Sequence, residues 1–166
     1  MGERYLALRA GLWPEITDDD LWLRLQRKGF TTIPRMMTLF MVVMDDMSKG
    51  KPVSLVYLEL WCRAYDEGFV KLQHTEMAYH SGFTGQRGVR TWRERIHILW
   101  TLGFIDLKGG PSGPESFALI LNPYKVLQNH RAKKTPGSMD DKFTAILARA
   151  IEIGAKDLDP QNIAAA

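Results

Sequence analysis

The longest apolar stretch, "MMTLFMVVM" at 36–44, puts hydrophobic side chains on every side of a helix that the pattern predicts from about Thr32 to Ser48. Pro34 falls in its first turn and Gly50 lies beyond its end. Such a helix calls for burial on more than one side, either against Trp22 and Leu25 of a preceding helix or against a second copy of the chain. That preceding helix is predicted after Thr17, where an N-cap, three aspartates, a one-sided set Leu21, Trp22 and Leu25, a basic last turn and Gly29 all agree. Ser54 is placed to cap a third helix, with Leu55, Leu58, Trp61, Cys62 and Tyr65 at helical spacing, Glu59 four residues before Arg63, and Gly68 as the stop.

Downstream the period changes. "FVKLQ" (69–73) reads as a short strand, Thr75 opens a brief helix stopped by Gly82, and a longer helix runs from Thr84 to about Leu102. "FIDLK" and "SFALIL" read as strands around the loop "GGPSGP", and Asn122-Pro123 breaks the second of them. A basic segment, "YKVLQNHRAKK", leads through the linker "TPGS" to a last helix capped by Ser138, and the tail "AKDLDPQNIAAA" is expected to fray. The last helix carries Phe143, Ile146, Leu147 and Ile151, which predicts packing on its own domain or a dimer surface.

Projected at 3.6 residues per turn, the 86–102 segment gathers Val89, Trp92, Ile96, Leu99 and Trp100 on one side. Gln86, Arg87, Arg90, Thr91, Glu94, His97 and Thr101 gather on the other, with Arg93 and Arg95 at the margins. Gly88 inside this helix costs about 1 kcal/mol relative to alanine, which implies a close approach of a backbone or a base at that point.

Charge sharpens this picture. Residues 81–135 carry nine Lys and Arg against three Asp and Glu, a net +6, which leaves the remainder of the chain at −3 within a total of +3. At 166 residues the chain fits one domain with appendages. Cys62 is the single cysteine, so neither an internal disulfide nor a cysteine zinc site can form, and a reducing cytoplasm is the expected location. The start lacks the apolar core of a secretion signal and 36–44 is too short to span a bilayer, so no membrane is expected as a partner.

Catalytic chemistry finds little footing. His74, His80, His97 and His130 stand in no ligand spacing, Asp45-Asp46 and Asp66-Glu67 read as solvated helix-end carboxylates, and "GKPVS" lacks the spacing of a phosphate-binding loop. The expectation is a non-enzymatic protein with no cofactor and no metal.

The order helix, strand, short helix, turn, long helix and two-stranded ribbon across 54–121, with the phrase "LWTLGFIDLKGG", resembles the winged helix-turn-helix domain. The resemblance implies a mainly α fold with a small β wing (α+β), extended by N- and C-terminal helices, and makes helix 85–102 the recognition helix. It divides the chain into an N-terminal helical extension (1–50) packing on the core, a winged helix-turn-helix domain (51–123), and a basic segment, linker, helix and tail (124–166). The expected partner is double-stranded DNA, addressed by a homodimer formed through helix 34–48 or 138–153. Gln86, Arg87 and Arg90 would read bases, while Thr91, Arg93, Arg95 and Lys108 would hold phosphates. Arg131, Lys133 and Lys134 form a second basic surface, to be weighed against a plain solvated linker. The wing "GGPSGPES" departs from the family in carrying no cation at its tip.

"GFTTIPR", "DDMSKGKPVS", "YLELWCRAYDEG" and "TWRER" are also similar to uncharacterised proteins of proteobacterial plasmids and mobile elements. That setting suggests a transcriptional regulator or a replication or maintenance accessory. The rival expectation is a protein-interaction adaptor on the same fold, supported by the neutral wing, the modest net charge and the surplus of apolar helix surface.

Overall fold

A computed structural model of the chain describes residues 2–26, 28–137 and 140–158. It divides into two units, Met1–Thr32 and Ile33–Ala166.

The first unit holds α1 (Gly2–Leu12), built from the good helix formers Glu, Arg, Leu and Ala, with Glu3 in its first turn and Arg9 in its last. The helix expected after Thr17 does not form. Asp20 accepts from the Thr17 backbone N–H at 2.9 Å and from its hydroxyl at 2.8 Å, but this cap closes only the single 3-10 turn Asp18–Asp20 before Leu21 becomes extended. A helix of that length needs a buried face to persist, and Trp22 and Leu25 are 60% and 91% exposed.

The second unit is α+β. Its elements are α2 (Met37–Met47), α3 (Ser54–Arg63), β1 (Phe69–Lys71), α4 (His74–His80), α5 (Gly88–Leu102), β2 (Ile105–Gly110), β3 (Gly113–Ile120), α6 (Pro123–Ala132) and α7 (Asp140–Ile153). With α1 these make seven α-helices and a three-stranded antiparallel sheet among the described residues, in the order β1-β3-β2. None of the helices is long and apolar enough to cross a membrane.

The methionine-rich α2 contributes to this unit's core. Met36, Met37, Phe40, Val43, Met44 and Met47 are all buried, and α2 packs on α3 and α7. Asp45, expected as solvated surface, instead accepts from the Val53 and Ser54 N–H groups at 2.6 and 2.9 Å and so satisfies orphan donors at the start of α3. Ser54 is the first helical residue, not the cap.

On α3 the buried face is Val53, Val56, Tyr57 and Leu60, whereas Leu55, Cys62 and Tyr65 of the expected seam face solvent. The run "VSLVYLELWC" contains two overlapping helical stripes, and only tertiary packing selects between them.

The hairpin is tighter than the sequence suggests. β2 and β3 extend into the glycine-rich segment and are joined by Pro111-Ser112, with Gly113 at φ 105°. Asn122-Pro123 ends β3, as expected, and also starts α6, because the Asn122 carboxamide accepts from the Tyr124 N–H at 3.0 Å and proline suits the first helical position. The segment read as a basic linker lead-in is thus a packed helix. It buries Tyr124, Val126 and Leu127, sets Tyr124 edge-on to Phe40 at 4.9 Å, and holds the Leu102 carbonyl with His130 Nε2 at 2.6 Å.

α7 packs back on α2, burying Ile146 and Ala150, with Lys142 paired to Asp46. The expected cap, Ser138, lies outside the described residues, as do 159–166 of the tail. The described part of the tail is packed, since Leu158 is buried and Asp157 accepts from the Asn122 side chain at 3.0 Å.

Candidate nucleic-acid interface

Two chain reversals position α5. Past α4, Gly82 and Gly85 adopt φ of 84° and 79°, and the Phe83 N–H returns to the Ala78 carbonyl at 2.9 Å. At the far end Gly103 is left-handed at φ 83° and Phe104 N–H bonds the Leu99 carbonyl at 3.0 Å, which closes the helix and feeds β2. Gly88 is needed at the entry: a Cβ there would stand 2.5 Å from the Phe83 carbonyl oxygen. The close approach implied by the sequence is thus supplied by the protein's own turn.

Trp92, Ile96 and Leu99 are fully buried, so the helix is anchored along one side as the projection predicts. Trp100 departs from that set and is 48% exposed, edge-on to His97 at 6.0 Å.

The expected cations divide into two groups. Gln86, Arg87 and Arg90 are exposed at the N-terminal end, and among the described residues neither arginine has an ion pair. Thr91, just inside them, is half-buried.

The others are engaged. Arg93 Nε donates to the buried Glu115 carboxylate at 2.7 Å, and His97 Nε2 meets the other oxygen of the same carboxylate. Burial pushes the Glu115 carboxyl up, but the bonds to Arg93 and His97 outweigh that and hold it below its ordinary value. Arg95 is largely covered, bonded to Glu94 at 3.1 Å, with its guanidinium 5.8 Å from the Phe83 ring. Glu94 also pairs with Lys51, whose hydrogen bond holds that carboxyl below its usual range. Lys108 reaches Asp106 at 3.4 Å and stays 79% exposed.

The second basic surface is not adjacent. Arg131 sits in the last turn of α6 over the Phe143 ring at 4.2 Å, and Lys133 and Lys134 are exposed just beyond. His130 ties this end of α6 to Leu102, so these cations gather near the C-terminal end of α5, about 20 Å along the helix from Arg87.

Glu115 is the site residue that the sequence does not single out. The available signal was Arg93 and His97, two hydrogen-bonding side chains four residues apart on one stripe of α5, which a carboxylate can satisfy once the ribbon folds beside it. His74 adds to this junction, bonding the Glu115 carbonyl at 2.7 Å and lying 5.4 Å from Trp92. The arrangement can present two guanidinium groups without an ion pair among the described residues, and a carboxamide, from the start of a helix anchored along one side. Compared with known proteins, the chain matches no family model, no curated protein and no solved structure.

Proposed function

We propose that this protein is a non-enzymatic DNA-binding protein of winged helix-turn-helix type, reading duplex DNA with α5. The single observation that carries the reading is the pair Arg87 and Arg90, exposed and without an ion pair among the described residues, at the N-terminal end of a helix whose opposite side is buried. The succession α3, β1, α4, α5, β2, β3 with sheet order β1-β3-β2 supports it. A helix presented this way fits the major groove, where Arg grips guanine N7 and O6 or a phosphate with two bonds and Gln reads adenine. Arg87, Arg90 and Gln86 form the reading group, with Thr91 beside them. Arg93 and Arg95 serve the helix's own placement. A two-fold dimer on paired half-sites, in a regulator or a replication or maintenance accessory of a mobile element, is the corresponding biological role.

Fluorescence anisotropy on duplex DNA tests the assignment. Arg87→Ala with Arg90→Ala is expected to weaken binding at least tenfold, since a good bidentate contact contributes about 1–3 kcal/mol. Lys133→Ala with Lys134→Ala, at the remote end, is expected to change it far less. The adaptor reading is favoured by one observation, the engagement of Arg93 and Arg95 within the protein. Absence of duplex affinity above the non-specific level, together with a stoichiometric protein partner, would decide for it.

A further inference from the structure

The antiparallel register places six side chains on the sheet face that turns away from the core. In one cross-strand row Lys71 of β1 and Lys108 of β2 stand on either side of Phe117 of β3, and in the next row Phe69 and Asp106 flank Leu119. Their inward neighbours Val70, Ile105 and Ala118 are buried, which fixes the orientation. Phe69 is 43% exposed, and its ring lies 5.5 Å from that of Phe117 at an interplanar angle of 30°. Gly110 makes room for this arrangement, because a Cβ there would stand 2.5 Å from the Phe117 ring.

An ammonium group on each side of the central ring argues against a face wholly covered by another apolar surface, and two phenylalanines in contact form an apolar patch rather than singly scattered residues. Aromatic rings interleaved with lysines suit a ligand that alternates flat apolar groups with anions. The geometry points to a binding site for single-stranded DNA on this face, with bases stacked on Phe117 and Phe69 and phosphates held by Lys71 and Lys108. Neighbouring strands lie about 4.8 Å apart, so the lysine backbones sit about 10 Å apart across Phe117.

Charge agrees with an anionic strand: the six positions sum to +1, with Lys71 exposed on β1 and Lys108 79% exposed although it lies 3.4 Å from Asp106. Asp106 is already held by the Leu107 N–H at 2.9 Å and by Lys108. A duplex keeps its base faces stacked inside and cannot use the rings. Of the six side chains only Asp106 can accept from a ribose 2′-OH, and it is already engaged by the Leu107 N–H and Lys108, so the face offers RNA no free acceptor and DNA is the assigned strand. The site shares no residue with the group Gln86, Arg87 and Arg90, so the two assignments fail separately.

Anisotropy of the full chain with labelled oligothymidylate, oligouridylate and a mixed-sequence duplex tests this. Phe69→Ala is expected to weaken oligothymidylate binding roughly fivefold or more, the loss expected for one base–aromatic stack, with duplex affinity unchanged. Lys71→Gln, a surface change that leaves the fold alone, is expected to weaken it as well and to lower its salt dependence. Arg87→Ala with Arg90→Ala is expected to do the reverse. The site is overturned by no oligothymidylate binding, by binding that both variants keep, or by tighter binding of oligouridylate. It is also overturned by a dimer that Phe69→Ala dissociates in sedimentation, which would make this face an interface between copies.

Discussion

Glu115 sets which cations remain available. Because its folded-state pKa is depressed, the stability it contributes is present above the ordinary carboxylate value of 4.5 and is lost as pH falls through the lower folded value. Glu115→Gln is therefore expected to cost about 1–2 kcal/mol near neutral pH and to flatten the stability profile below pH 4.5, read from urea midpoints across pH. A profile that stays steep there would place the acid sensitivity elsewhere. Gly88 makes an opposite-sign test of intrinsic propensity. Alanine favours a helix by about 1 kcal/mol, yet the Phe83 carbonyl leaves no room for its Cβ, so Gly88→Ala is expected to destabilise by roughly 1–3 kcal/mol in thermal or urea unfolding. A stabilised variant would contradict the tight turn.

At the scale of elements, α3 decides which of two sequence stripes is core. Leu60→Ala is expected to cost about 2–5 kcal/mol, whereas Leu55→Ala, on the stripe that periodicity favoured, is expected to cost under about 1 kcal/mol. Urea unfolding of the two variants checks it, and equal losses would contradict the packing. The elements that were legible carry punctuation that only one local conformation satisfies: Gly82 and Gly103 are left-handed where the sequence stops α4 and α5, and Trp92, Ile96 and Leu99 recur at a period that one buried side requires. The elements misread had signals with two meanings. Asn122-Pro123 both ends a strand and caps a helix, and Thr17 with its aspartates closes a turn whether or not a helix follows. α1 has no apolar seam, so a period-based reading passes over it.

Across the whole molecule, position rather than charge total separates the basic residues. The sequence gathers nine cations into residues 81–135, but folding engages Arg93 and Arg95 with neighbouring carboxylates, leaves Lys108 largely exposed beside Asp106, sets Arg131 against Phe143, and leaves Arg87 and Arg90 without an ion pair among the described residues at the entrance to α5. Such a partition cannot be read from helical projection, because the neutralising groups Glu115 and Asp106 come from the ribbon and Lys51 comes from the loop before α3. The proposed reading of duplex DNA rests on that partition. Its most direct test is the dependence of log affinity on log salt for duplex binding, compared between the wild-type chain and the Arg87→Ala, Arg90→Ala variant. The account predicts two straight lines, with the variant's shallower by up to about 2 as both guanidinium contacts are lost. Lines of equal slope and equal affinity would contradict it.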